Sequence, residues 1–260
     1  MMKRFFVIAL FVLGLGQLYA QPVRDTAWTK AGYFGLKLTQ VSLSSWSAGG
    51  ESALAFDSQI TYSADFKRDR QLWQNRLELG YGLTKNDGKS ARKTNDKIYF
   101  ASTYGYQIYK TLYWSALLNF NTQFAKGYDY NIEDSDFISK FMAPGYLMIG
   151  TGVTWSPNKI FTATFTPASW RGTIVADSRL SDEGAFGVDK GKHLLSEFGA
   201  NLKAEVNYEF LPNMKVYSRL ELYSNYLKDP QNIDVRWEVQ LNMAINKWFS
   251  TTLSTNLLYD

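Results

Sequence analysis

At 260 residues, with 45% hydrophobic and 16% aromatic side chains, the chain can order itself, and 19 Gly, 6 Pro and 20% charged residues exclude collagen-like and low-complexity readings. The absence of Cys excludes disulfide scaffolds, zinc–thiolate sites, thiol enzymes and a lipid-modified N-terminal cysteine, and a single His excludes a multi-histidine metal site. The formal charge is +4, but setting aside Lys3 and Arg4, which fall in the segment described next, leaves 26 basic against 24 acidic residues and no electrostatic case for nucleic acid.

Met1–Arg4 is a short basic head, Phe5–Leu15 is apolar, and Gly16–Ala20 leads to Gln21. This is the three-part pattern of a secretory signal peptide, residues 1–20, cleaved after Ala20, although Leu18 is larger than the usual residue there. A retained anchor would need about twenty apolar residues, and this core is shorter. Residues 21–32 then read as a periplasmic lead-in. Beyond residue 20 no apolar run is long enough to cross a bilayer as a helix, so a membrane-bound mature chain must cross as strands.

From there the chain alternates with period two, which a helix, whose apolar positions recur at three and four, cannot produce. Candidate strands at 33–43 and 52–66 come first. In the second, Leu54, Phe56, Ile60, Tyr62, Ala64 and Phe66 share one face, and Asp57, Gln59, Thr61, Ser63 and Asp65 the other. Strands at 71–83 and 96–109 lead to 112–124, where Leu112, Trp114, Ala116, Leu118, Phe120 and Phe124 oppose Ser115, Asn119, Asn121 and Gln123. After 145–155 and 159–167 comes 194–208, with Leu194, Phe198, Ala200, Leu202, Ala204, Val206 and Tyr208 against Glu197, Asn201, Lys203, Glu205 and Asn207. Strands at 214–226, 232–245 and 248–259 complete a set of eleven.

Short turns and long polar connections alternate between these strands, the long ones at 84–95, 125–144 and 168–193. Short turns at one end and long loops at the other mark a transmembrane antiparallel up-and-down β-barrel, with turns in the periplasm and loops outside. A secreted sandwich or lipocalin-like barrel alternates in the same way with its apolar face inward. Against it stand strand lengths beyond the usual five or six residues, aromatics near the strand ends (Phe66, Trp73, Phe124, Phe210, Tyr226, Phe249, Tyr259), and ordered charge on the polar face.

The Leu211–Pro212–Asn213 turn fixes a hairpin register that sets Glu209 against Lys215, Glu205 against Arg219, and Lys203 against Glu221. Continued to the next strand, it sets Arg219 against Glu238, Glu221 against Arg236, and Asn225 against Asn232. The expectation is a lumen charge ladder of two rows, Glu205–Arg219–Glu238 and Lys203–Glu221–Arg236, since facing opposite charges stabilise a sheet. Such rows either set solute selectivity or simply fill and rigidify a small barrel. Arg76 and Glu78 belong to the same question.

Catalytic and metal signals are weak. His193 is the sole histidine, near Lys192 and Ser196, and Asp177, Asp182, Glu183 and Asp189 lack EF-hand spacing. The glycines of WSAGGE and GAFGV lack the strand-to-helix context of a phosphate cradle. No cofactor or metal is expected.

Two stretches resemble the secreted Gram-negative barrel proteins grouped as domain of unknown function 3078. One is LTQVSLSSWSAGGESALAF, residues 38–56, with Trp46, Gly49, Gly50 and Glu51 as its signature; the other is TIVADSRLSDEGAFGVDKGKHLLSEFGA, residues 173–200, with Leu180, Gly184, Phe186 and Gly187 in matching places. The resemblance extends over the mature chain and implies an outer-membrane β-barrel, without an established activity. Its surroundings would be outer-membrane lipid, with the barrel-assembly machinery as partner during insertion. Because single-chain bacterial barrels have even strand numbers, a twelfth strand ending in an aromatic residue is expected beyond Asp260. The first functional expectation is a narrow channel or small-solute passage protein, not an enzyme. The alternatives are a non-conducting structural or adhesive barrel with partner-binding loops and, behind it, a barrel enzyme acting on lipid or polysaccharide.

Overall fold

The computed structural model describes residues 27–43, 50–132, 136–244 and 249–259. The expected signal peptide, Trp46 and Gly49 lie outside them. The described chain is all-β apart from one short helical segment. Its strands are β1 Trp28–Val41, β2 Ala53–Arg68, β3 Gln71–Asn86, β4 Arg92–Tyr109, β5 Leu112–Thr122, β6 Gly127–Tyr128, β7 Phe137–Ser139, β8 Gly145–Trp155, β9 Phe161–Ile174, β10 Leu194–Leu211, β11 Met214–Asn225, β12 Ile233–Ala244 and β13 Ser250–Tyr259. Eleven form one antiparallel up-and-down sheet in chain order, and β6 and β7 form a separate ribbon inside the β5–β8 connection. Each of the eleven strands read from the alternation is present.

Three turns at one end are tight. Asp69–Arg70, Lys110–Thr111 and Pro212–Asn213 each link two strands, and Asp69, Lys110 and Asn213 take the positive φ that lets the chain reverse within so few residues. This is called the inner end below. At the outer end the connections are 42–52, 87–91, 123–144, 175–193 and 226–232.

Boundaries differ most from expectation at three places. The first strand begins at Trp28, five residues early, because Lys30 occupies an apolar-face position and masks the alternation. The third connection shrinks to 87–91 as β3 and β4 extend outward. The seventh strand runs through Pro167 to Ile174, and a β-bulge there removes the demand for the N–H that proline lacks.

The expected closed barrel is an open sheet among the described residues: β1 and β13 stand at opposite ends of the strand order, each with one unpaired edge. Eleven alternating strands make them run in the same direction, so they cannot pair antiparallel with one another. The sheet is nonetheless rolled. Arg171 of β9 reaches Asp234 of β12 at 3.0 Å, across two intervening strands. Tyr99 of β4 lies within electrostatic reach of Arg219 and Glu221 of β11.

Rolling puts the polar face inside. Short polar side chains on it are almost fully buried, as with Ser115, Thr164, Thr166 and Asn201. The opposite, convex face carries large exposed apolar residues from end to end of the sheet, including Phe34, Leu54, Ile60, Trp114, Ile149, Phe165, Phe198, Trp237 and Leu253. An aromatic band lines its inner end, where Trp28 meets Phe66 and Trp73, Tyr104 meets Trp114, and Trp155 meets Phe161, with ring centroids 5.2 to 6.5 Å apart.

Among the described residues, a conventional core is found at the outer end alone. Ala143, Val175, Leu180 and Val188 are buried together, with Phe137, Ala185 and Leu195 packed against them. The six-residue helix α1, Ser178–Glu183, supplies Leu180 to this cap. Asp177 caps its N-terminus by accepting from the Leu180 amide, and Gly184, in the left-handed region at φ 75°, ends it by donating to the Leu180 and Ser181 carbonyls. Ala176 N–H donates to the Met142 carbonyl at 2.8 Å and joins the two long outer loops.

Candidate functional site on the concave face

The face rests on backbone register. Lys203 stands opposite Glu221, Glu205 opposite Arg219 and Glu209 opposite Lys215 on β10 and β11, and Arg219 opposite Glu238 and Glu221 opposite Arg236 on β11 and β12. The β11–β12 pairing ends at Ser224 and Ile233, so Asn225 and Asn232 do not face each other in the sheet. Asn225 instead donates to Glu197 at 3.0 Å.

Side chains make the two rows unlike. In the first, Arg219 reaches Glu205 at 3.1 Å and Glu238 at 3.6 Å, and its guanidinium lies 5.6 Å from the Tyr217 ring centroid. The Tyr217 hydroxyl donates to the same Glu205 carboxylate at 3.1 Å. In the second, Lys203 turns along its own strand to Glu205 at 3.4 Å, and Glu221 accepts from the Asn201 amide at 3.1 Å. Arg76 and Glu78 also find their setting: Glu78 of β3 is held by Arg76 beside it and by Lys97 of β4.

A second centre, closer to the outer end, was not singled out from sequence. Arg171 grips Glu197 with two parallel hydrogen bonds, Nε to Oε2 at 2.8 Å and Nη2 to Oε1 at 2.9 Å. Its remaining arm, Nη1, donates to Asp234 at 3.0 Å, and the guanidinium sits 4.0 Å from the Tyr223 ring centroid. Only a planar, five-donor fork can do all of this at once; a lysine could not. Arg171 falls beyond Pro167, in what reads from sequence as loop. The alternation Ser169, Arg171, Thr173 across from Glu197 was the available signal.

Between the two centres runs a row formed by Thr166, Asn201 and Tyr223, each at most 5% exposed. The Thr166 and Tyr223 hydroxyls have no protein partner among the described residues, which calls for water on this face. Together these groups offer alternating fixed charges and neutral hydrogen-bonding groups. On this face Glu205 is paired with Lys203 and Arg219 and Glu197 with Arg171, while Glu221 is held by the Asn201 amide. The sole histidine is likewise committed, its Nδ1 lying 2.7 Å from the Val175 carbonyl. Among the described residues no three His, Cys, Asp or Glu side chains converge as a metal site.

The other signature residues lie at the outer end. Glu51 accepts from Asn86 at 2.9 Å and Lys89 at 2.8 Å, tying the first outer loop to the second, and the Lys89 hydrogen bond holds its carboxyl below the usual range. Gly50 has φ 132°, and Gly184, Phe186 and Gly187 all take positive φ around α1. Asp177 is held below the ordinary aspartate range, first by Lys140 and then by the Leu180 amide.

Two family models match this chain. One, described as a protein of unknown function (DUF3078), covers residues 38–128; the other, described as a protein of unknown function, DUF481, covers residues 170–260. The first includes the WSAGGE motif. The whole of the second motif, residues 173–200, lies in the other match, so the DUF3078 likeness covers residues 38–128 and not the chain beyond them. Among curated proteins none matches.

Proposed function

We propose that this chain is an outer-membrane β-barrel protein, exported by its N-terminal signal, whose convex face meets lipid and whose concave face lines a narrow path for ions or small solutes. The observation that carries this reading is the inverted polarity of the sheet. Large apolar residues are exposed on one face, Phe34 at 66% and Leu253 at 65%, while charges and hydroxyls are gathered on the other. Contiguous exposed apolar surface on this scale needs an apolar partner. In a bilayer every spanning backbone group must be paired internally, as an antiparallel ladder achieves. The inner aromatic band fits an interfacial girdle. The free edges of β1 and β13 run in the same direction, so they would close the path either by pairing parallel or through a strand that runs opposite to both. Insertion would draw on the barrel-assembly machinery.

Within that path Arg219, held between Glu205 and Glu238, is the proposed selectivity group. The test is single-channel conductance of the refolded mature protein in a planar bilayer, beside Arg219→Ala. Steady openings whose cation-to-anion selectivity shifts in the variant are expected. A silent bilayer from protein that still migrates as a folded species on an unboiled gel overturns passage. It would favour a second reading, supported by the Arg171 side chain that spans from β9 to β12 and by the packed outer cap: a non-conducting barrel whose cap binds a partner.

A further inference from the structure

The convex wall is irregular around β9. At Pro167 the register breaks on both sides of β9. Thr151 pairs with Ala168 but Val153 with Phe165; Gly199 pairs with Ser169 but Asn201 with Thr166. Gly152 and Ala200 therefore each face an irregular stretch of β9, and the wall buckles. On the convex side this opens a cavity of about 610 Å³, within the range of small-molecule sites, about 300 to 1,000 Å³. Ile149, Trp170 and Phe198, paired in one row across β8, β9 and β10, form its outer wall. Ala116 and Ala168 line its floor, and Tyr226 closes one end.

The lining decides the occupant. No charged residue is present, and the three side-chain hydroxyls are already spent within the protein. Thr151 donates to the Ser115 carbonyl at 3.1 Å, Ser169 to the Gly199 carbonyl at 2.7 Å, and Tyr226 to the Pro167 carbonyl at 2.9 Å. That leaves no charge and no free hydroxyl proton to hold a headgroup, with the indole of Trp170 as the one side-chain N–H in an otherwise apolar lining. The groove also runs across the strands, which in a membrane barrel tilt by about 35 to 45°, so it is inclined to the bilayer normal rather than flat in its plane. We infer that this groove is a seat for one acyl chain of a membrane lipid, recognised through hydrocarbon contact alone. The inference rests on the membrane reading above and adds a specific lipid position to it.

The test uses the refolded mature protein in phosphatidylcholine vesicles whose acyl chains carry a photoactivatable diazirine, with labelled positions mapped by peptide mass spectrometry. Labelling several-fold denser at 149–151, 168–170 and 198 than at Ile60 and Trp237, and reduced to their level in Ala168→Phe, is expected. Should Ala168→Phe fail to fold, Ala116→Leu fills the same floor from β5. Dense labelling that neither filled variant reduces, or even labelling over the whole convex face, overturns the groove while leaving the membrane reading intact. No labelling anywhere on that face, from folded protein, overturns the membrane reading itself.

Discussion

The sheet and the outer cap are built from opposite rules within one chain. In the cap, Ala143, Val175, Leu180 and Val188 are at most 2% exposed, while the charged pair Asp189 and Lys192 faces outward. In the sheet the order reverses: Thr166 is fully buried while Phe34 and Leu253 are about two-thirds exposed. The cap is held by apolar burial, which requires water around it. The sheet is held by its backbone ladder and by charges paired on its concave side, a construction suited to apolar surroundings. On the membrane reading proposed above, one chain thus meets two solvents, and the boundary between them falls where the strands end.

The contrast can be broken hardest in the sheet wall. An added Cβ at Gly152 would lie 2.0 Å from the Phe165 carbonyl oxygen, and one at Gly199 2.1 Å from that of Ser224. Because backbone is the obstacle, Gly152→Ala and Gly199→Ala should exceed the about 1 to 3 kcal/mol of ordinary overpacking and abolish the folded band on an unboiled gel. Gly105→Ala, whose nearest contact is 3.6 Å, should keep it. Leu180→Ala should cost about 2 to 5 kcal/mol, confined to the cap. Hydrogen exchange should quicken at 137–145 and 175–193 and stay unchanged in β2 to β4; uniform quickening would show that cap and sheet are one cooperative unit.

Arg171→Ala removes the cation that Glu197 and Asp234 share. Breaking a buried pair costs about 3 to 5 kcal/mol, and partial exposure of this one lowers the expected loss to about 2 to 3 kcal/mol, read from the urea midpoint in micelles. Arg171→Lys should recover only part of it. The smallest effect is at the helix cap, where Asp177→Ala should cost about 1 kcal/mol. Its carboxyl is held lower in the folded cap than in the unfolded chain. The contribution is therefore complete above the ordinary aspartate value of about 3.9 and is lost as pH falls through the lowered folded value. Protection of the cap amides, taken relative to the intrinsic exchange rate at each pH, should fall between pH 6 and pH 3 in the parent chain and change less in the variant.

How much of this was legible follows from period and pairing. Alternation in residues such as Leu202, Ala204 and Val206 needs no tertiary information, and a two-residue turn at Pro212–Asn213 fixes a whole hairpin. Legibility failed where a local rule was overridden. Pro167 reads as a strand end, and only the bulge lets β9 continue to Arg171. Helix α1 is too short to show a period, although Asp177 and Gly184 stand where an N-cap and a terminating glycine belong. The Arg171 centre joins residues 63 positions apart through curvature, which no pairwise strand register contains.

The charge rows also act as an error-rejecting code during assembly. A strand that slips by one residue sends its charges to the convex side. A slip of two keeps every side chain on its proper face, so polarity alone would pass it. Charge does not. With β11 and β12 displaced by two in one direction, Arg219 would face Arg236; in the other, Glu221 would face Glu238. Between β10 and β11 the same displacements would set Lys203 against Arg219, or Glu205 against Glu221. Both near-miss alignments at both seams bring like charges together, a juxtaposition that destabilises a sheet, so the native alignment is the one such arrangement in which these signs agree.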